Sequence, residues 1–171
     1  YSLLAYLNKT KSSNTSSCVI INNFGVLNYS DIYDTSVDVD IVNNSYGYSG
    51  NIIDYTEAQV RYAFPNTIAE MSQVGTPDSE KTIYVWAAGN AGGYADQGVD
   101  YSSPELLPGM AHYIPEIQGH SIAVASVDEN GQISDFSSRC GVAQDYCISA
   151  HGGRVTAAYP TSTSDTGIYI G

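Results

Sequence analysis

The sequence predicts an α/β domain built on a mainly parallel sheet, and three stretches carry that prediction. Lys81 to Ala88 (KTIYVWAA) is an almost continuous apolar, aromatic and β-branched run, the pattern of a strand covered on both faces. Ser121 to Val127 (SIAVASV) is a second such strand. Upstream of both, an amphipathic helix follows a third apolar run. Strand, helix, strand, long connection, strand is the alternation a parallel sheet requires, because parallel neighbours need crossover connections.

The elements follow in order. The first 35 residues carry the weakest signals: Lys9 to Ser17 is polar enough for a loop, and Cys18 to Ile21 suits a short strand with Asn-rich flanks. Val37 to Asn43 (VDVDIVN) closes in a compact apolar run and gives way to Ser45-Tyr46-Gly47-Tyr48-Ser49-Gly50, a buried strand running out into a loop. Thr56 with Gln59 three residues later fits a capping box, and Val60, Phe64, Ile68 and Met71 recur on one helical face. Pro65 interrupts that face, since it removes a backbone donor and crowds the preceding turn, so a kink or two abutting helices is expected. Residues 92–119 hold Pro104, Pro108, Pro115 and several glycines, and read as a long surface connection. Asp128-Glu129-Asn130-Gly131 supplies a turn before Ile133 to Phe136.

Composition narrows the function classes. A length of 171 residues suffices for one hydrophobic core, and 43% hydrophobic against 14% charged residues is the opposite of the disordered signature. With 18 acidic and 6 basic side chains, the net charge of -12 repels phosphate backbones, so nucleic acid is not an expected partner. No run approaches the roughly 20 apolar residues that span a bilayer, and no basic-then-apolar leader opens the sequence, so no membrane contact is expected from this soluble segment. The first residue is Tyr1, and the start is expected to follow a processing site or to lie inside a longer protein.

The chemistry centres on Val85-Trp86-Ala87-Ala88-Gly89-Asn90-Ala91-Gly92, a strand that ends in glycines around one asparagine. A strand-terminating turn is the bland reading of Gly89 to Gly93. A phosphate-cradling loop is disfavoured, because neither the Lys-Ser/Thr of a nucleotide loop nor the G-x-G-x-x-G spacing is present. A neutral amide fixed at a strand end is suited to acyl transfer, in which a carbonyl oxygen becomes negative and needs a donor already in place. Flanking glycines let a substrate backbone approach closely.

Three stretches in one order resemble the subtilisin-like serine proteases. Asp40 to Gly47 resembles the subtilase strand whose Ser-x-Gly edge pairs with extended substrate, Val85 to Gly92 its Ala-Ala-Gly-Asn strand end, and Ser121 to Asp128 with Phe136-Ser137-Ser138 and Ala150-His151-Gly152 its strand, Phe-Ser-Ser turn and Ala-Pro-Gly. The resemblance covers roughly residues 37–155 and implies a three-layer, subtilisin-like α/β fold, incomplete in this chain. It implies that Asn90 is the oxyanion-hole donor and that Ser45, Tyr46, Gly47, Ala87, Ala88 and Gly89 contact a protein or peptide substrate; no cofactor and no catalytic metal are expected. In subtilisin itself, loss of that asparagine costs roughly a hundred- to a thousandfold in turnover, a magnitude borrowed for Asn90. Ser45 to Gly47 also reads, taken alone, as an ordinary strand-to-loop junction.

Arg139-Cys140-Gly141-Val142-Ala143 matches word for word a segment of the subtilase passenger domains of bacterial autotransporters, which implies a secreted or cell-surface protein. Cys140 and Cys147 could close a small loop as a disulfide, bind a metal together with His151, or remain two buried thiols. The disulfide is the favoured reading and fits an oxidising compartment, with Cys18 left over. His112, His120 and His151 lack the Gly-Thr that follows a subtilase base, so each is expected to be a surface or structural histidine. His151 also replaces the proline of Ala-Pro-Gly.

The triad itself is not expected within this chain. Asp165-Thr166-Gly167 has the letters of the subtilase acid motif but falls after every central landmark and reads as a coincidental turn, and no Gly-Thr-Ser occurs. Residues 1–171 are thus expected to form the central part of a subtilase domain, inactive alone, whose partners include the missing portions of that domain. The competing reading is a non-catalytic peptide-binding or scaffold domain derived from a subtilase.

Overall fold

The computed structural model describes residues 20–23, 40–158 and 166–169. In chain order it contains β1 (Ile20–Asn23), β2 (Ile41–Asn44), α1 (Glu57–Ala63), α2 (Pro65–Ser72), β3 (Ile83–Ala87), α3 (Leu106–Gly109), α4 (Pro115–Gln118), β4 (Ser121–Val127), β5 (Cys147–His151), β6 (Val155–Ala158) and β7 (Thr166–Tyr169). Strands β1 to β5 form one sheet in sequence order. Every neighbouring pair is parallel, with Ile20 opposite Ile41, Ile41 opposite Ile83, Tyr84 opposite Ser121 and Ala123 opposite Cys147.

That order dictates where the helices go. Crossovers between parallel strands are right-handed, so strands that step always in one direction place every crossover on the same face. The core lies on that face: Val42 of β2, Tyr84 and Trp86 of β3 pack with Val60, Ile68 and Met71 from α1 and α2 and with Leu106, Leu107, Met110, Ile114 and Ile117 from the next crossover. The alternate residues of the strands point the other way. Ile41, Val85, Ile122 and Val124 are only partly covered, and Ile148 is exposed, among the described residues.

The first crossover forms as its sequence directs. The Gln59 backbone N–H donates to Thr56 Oγ1 (3.3 Å) and the Thr56 N–H to Gln59 Oε1 (2.9 Å), closing the capping box. Pro65 splits the apolar face into two helices and sits in the first turn of α2, where its missing donor costs nothing. Arg61 then joins α1 to α4 through both oxygens of Glu116, at 2.7 and 3.1 Å.

The second crossover departs from the sequence expectation. Residues 93–100 are exposed, as a surface connection would be, but Leu106, Leu107, Met110, Ala111, Ile114 and Ile117 are buried on short helical turns. Their spacing is helical, and Pro115 occupies the first turn of α4, where it starts a helix and does not break one. Ile133 makes only an isolated bridge to Val127, whereas the turn Asp128–Gly131 closes as expected with a 3.1 Å bond from Gly131 N–H to the Asp128 carbonyl. Thr166 and Gly167 belong to a strand paired antiparallel with β6, which replaces the expected turn there. Cys18 and the residues before Ile20 lie outside the described residues, as do Val37 to Val39 of the strand expected at Val37–Asn43. Among the described residues no helix is long and apolar enough to cross a membrane.

Candidate active site at the ends of the parallel strands

Strands β2 and β3 lie side by side, and both end at the same edge of the sheet. The β2–β3 pairing stops at Asn44 opposite Trp86, while Ala87 still pairs with Val124 of β4, so the chain leaves the sheet after Asn44 on one strand and after Ala87 on the other. A cavity of about 390 Å3 opens there, lined by Ser45, Ala87, Ala88, Gly89 and Asn90 together with residues of β4, β5 and the turn at Phe136. Five of the seven residues expected to contact substrate or transition state thus share one cavity. Tyr46 and Gly47 are not in its lining. Tyr46 instead packs edge-on against Trp86, with ring centroids 5.9 Å apart, and so holds the Ser45–Gly47 segment to the core. Gly47 faces the Glu105 carboxylate.

The loop bearing Asn90 is clamped from two sides. From one, the Ser138 N–H donates to the Gly89 carbonyl (2.9 Å) and Ser138 Oγ accepts from the Ala91 N–H (3.3 Å). Ser137 anchors the clamp to the sheet, its Oγ accepting from the Ser126 N–H (3.0 Å). This gives the Phe-Ser-Ser turn a physical purpose: one small hydroxyl satisfies a backbone donor of a loop that no ladder covers, and the other ties the turn to β4. From the other side, Glu105 Oε1 accepts from the Asn90 N–H (3.0 Å), while the Glu105 N–H donates to the Ala88 carbonyl (2.9 Å).

The glycines here are required by contact. Gly89 has φ +115°, a conformation side chains rarely adopt, and an added Cβ would lie 2.3 Å from Glu105 Cδ. A Cβ on Gly92 would lie 2.3 Å from the Asp135 carbonyl oxygen. Asn90 itself is exposed, and its side-chain amide bonds to no other described residue, so both Nδ2 protons are free to donate at the cavity rim.

Glu105 was not legible as a site residue. It is half-buried, and desolvation raises its carboxyl above the usual range against the opposing bond from Asn90. Nothing local marks it. It reaches Asn90 across 15 residues of a crossover that read as loop.

The histidines do other work. His120 is buried, with Nε2 bonded to the Met71 carbonyl, and tilts against Tyr84. His112 is exposed beside Tyr113. His151 lines the cavity, but its Nε2 is engaged with the Arg154 carbonyl (3.1 Å). Cys140 and Cys147 are joined as a disulfide, Cα atoms 5.7 Å apart, tying the Gly141–Ala143 turn to the start of β5. Gly141 has φ +40° there, and a Cβ would strike Ser103 Oγ and the Ser102 carbonyl, so both the backbone conformation and the space call for glycine. Among the described residues no three His, Cys, Asp or Glu groups are placed to hold a metal.

A family model described as Subtilase family, Peptidase_S8, matches residues 9–169. No curated protein sequence matches the chain. Among solved structures, the chain is similar to the PatG macrocyclase domain, with 15% identity and a TM-score of 0.52 over 80% of this chain and 33% of that one. It is also similar to the prenylagaramide maturation protease PagA, with 17% identity and a TM-score of 0.49 over 77% of this chain and 37% of that one. The chain therefore spans about a third of the length of the structures it matches.

Proposed function

Because the chain belongs to the subtilase family of serine peptidases, we propose that it is part of a secreted endopeptidase that cleaves peptide bonds through an acyl-enzyme. In this reading Asn90 is the side-chain donor of the oxyanion hole. The observation that carries it is the free Nδ2 of Asn90 at the rim of a cavity shared with Ser45 and Ala87 to Gly89, on a loop that Ser138 and Glu105 hold still. A donor fixed in advance needs no reorganisation when the tetrahedral oxyanion forms. The diverging segments after Asn44 and Ala87 would receive an extended peptide between them, as an added strand.

The nucleophile, base and acid are assigned to portions of the domain outside residues 1–171. Support comes from the three histidines: His120 is buried away from the cavity, His112 is outside its lining, and His151 is bonded to Arg154. The Arg139–Ala143 segment and its neighbouring cysteine bridge support a place among the autotransporter passenger subtilases, and with it a secreted or cell-surface location.

The test uses a serine-directed fluorophosphonate on the full-length protein and on the 171-residue chain. Labelling of the full-length protein alone is expected; labelling of the isolated chain would refute the assignment of the triad elsewhere. In the full-length protein, Asn90→Ala should lower kcat by roughly a hundred- to a thousandfold with KM little changed, the range known for subtilisin itself. Peptide retention with no labelling and no turnover would identify a non-catalytic binding domain.

A further inference from the structure

Glu105 lies across the gap between the two segments that would flank a bound peptide. On one side, a Cβ added to Gly89 would be 2.6 Å from Glu105 Oε1; on the other, a Cβ added to Gly47 would be 3.5 Å from Oε2. One carboxylate therefore reaches from one wall to the other, and the walls bear hydrogen where other residues would bear side chains. Its position is fixed through Oε1 by the Asn90 N–H and through its own main chain by Ala88. No Lys, Arg or His among the described residues pairs with it; the ion pairs there engage Glu57, Glu116 and Asp78.

We propose that Glu105 determines substrate specificity by receiving an arginine or lysine side chain from the residue on the acyl side of the scissile bond. This inference rests on the reading of Asn90 as the oxyanion donor. The carbonyl held by Asn90 belongs to that residue; Glu105 is outside the lining of the cavity but lies between the Gly47 and Gly89 segments and accepts from the Asn90 N–H, so a side chain entering between those segments would meet its carboxylate. Oε2 bonds to no side chain among the described residues, so a guanidinium can approach it with a charge-assisted bond. A half-buried carboxylate without a cation is costly, and a cationic ligand offsets that cost. The net charge of -12 attracts basic peptides over a longer range.

The competing role for Glu105 is to hold Asn90 in place and nothing more. The substitution Glu105→Gln separates the two, because the amide oxygen still accepts from the Asn90 N–H while the charge is gone. Matched fluorogenic peptides carrying arginine, or its neutral isostere citrulline, are compared in the full-length protein. Expected is a kcat/KM preference for arginine of roughly ten- to a hundredfold, the range of a hydrogen bond to a charged group, collapsing toward parity in Glu105→Gln. The preference should also grow as pH rises through a carboxyl ionisation lying above the usual range, and be independent of pH in the variant. Equal use of both peptides by the wild-type protein, or a preference that survives Glu105→Gln, overturns the proposal. Fluorescence anisotropy of the same peptides supplies a readout without turnover. Arginine-selective cleavage that depends on Glu105 upholds the proposal; arginine-selective binding that depends on Glu105 with no cleavage overturns it as a specificity device of a hydrolase and leaves a cation-binding carboxylate in a non-catalytic domain; cleavage without arginine selectivity overturns it while the hydrolase reading stands.

Discussion

Asn90 and Gly92 share one loop but tolerate change very differently. Asn90 faces solvent, so truncating its side chain removes a donor and little packing. Gly92 is pressed against the Asp135 and Phe136 backbone, which cannot rotate aside as a side chain could. Gly92→Ala is expected to destabilise the protein by about 1–3 kcal/mol through overpacking, and to lower kcat by displacing the loop. Gly93→Ala is the control, since its Cβ would meet only Phe136 Cβ at an ordinary 3.7 Å. Urea midpoints of the two variants in the full-length protein check the contrast, and equal midpoints would remove the steric account of Gly92. At this scale the sequence was half legible. The run Ala87-Ala88-Gly89-Asn90 announces a strand end with a donor, whereas Glu105 acts through a contact that only the folded crossover creates.

Elements with local signals were legible, and those made by tertiary contact were not. The capping box at Thr56, the break at Pro65 and the strands Ile83–Ala87 and Ser121–Val127 each follow from residues within one element. Residues 106–118 were misread because Pro108, Gly109 and Pro115 are strong loop signals, yet burying six apolar side chains outweighs them. Strand β5 gave no signal either; CISAH has no alternation, and it is a strand by virtue of pairing with β4. Its other tether is the bridge from Cys147 to Cys140, seven residues away. Replacing both cysteines with serine should cost roughly 2–3 kcal/mol on the chain-entropy estimate for so short a loop. The loss should appear as a lower denaturant midpoint, matched by wild-type protein under reducing conditions, and as faster amide exchange concentrated in Cys147–His151. Uniform acceleration across the sheet would show that the bridge stabilises the whole fold and not this edge.

For the whole molecule, the decisive feature is that the described helices occupy one face of the sheet. Ile41, Val85, Ile122, Val124 and Ile148 sit on the other, with only partial cover among the described residues. If further portions of the domain complete the fold, they complete it here. The 171-residue chain alone is then expected to bind the dye ANS, and the full-length protein to bind it several-fold less. Equal dye binding would mean that this face stays open in both. The α/β class was legible at this scale because alternation of strand and helix fixes it. One-sidedness was not, since it depends on strand order, which no local pattern records.

Strand order has a temporal side as well. Among the described strands, β2 to β5 each pair with the strand immediately before them in the chain, so this part of the ladder grows by adding new residues to a finished edge. A polypeptide delivered end first, from a ribosome or through a translocation pore, can wind up this sheet as it emerges, with no earlier pairing to undo.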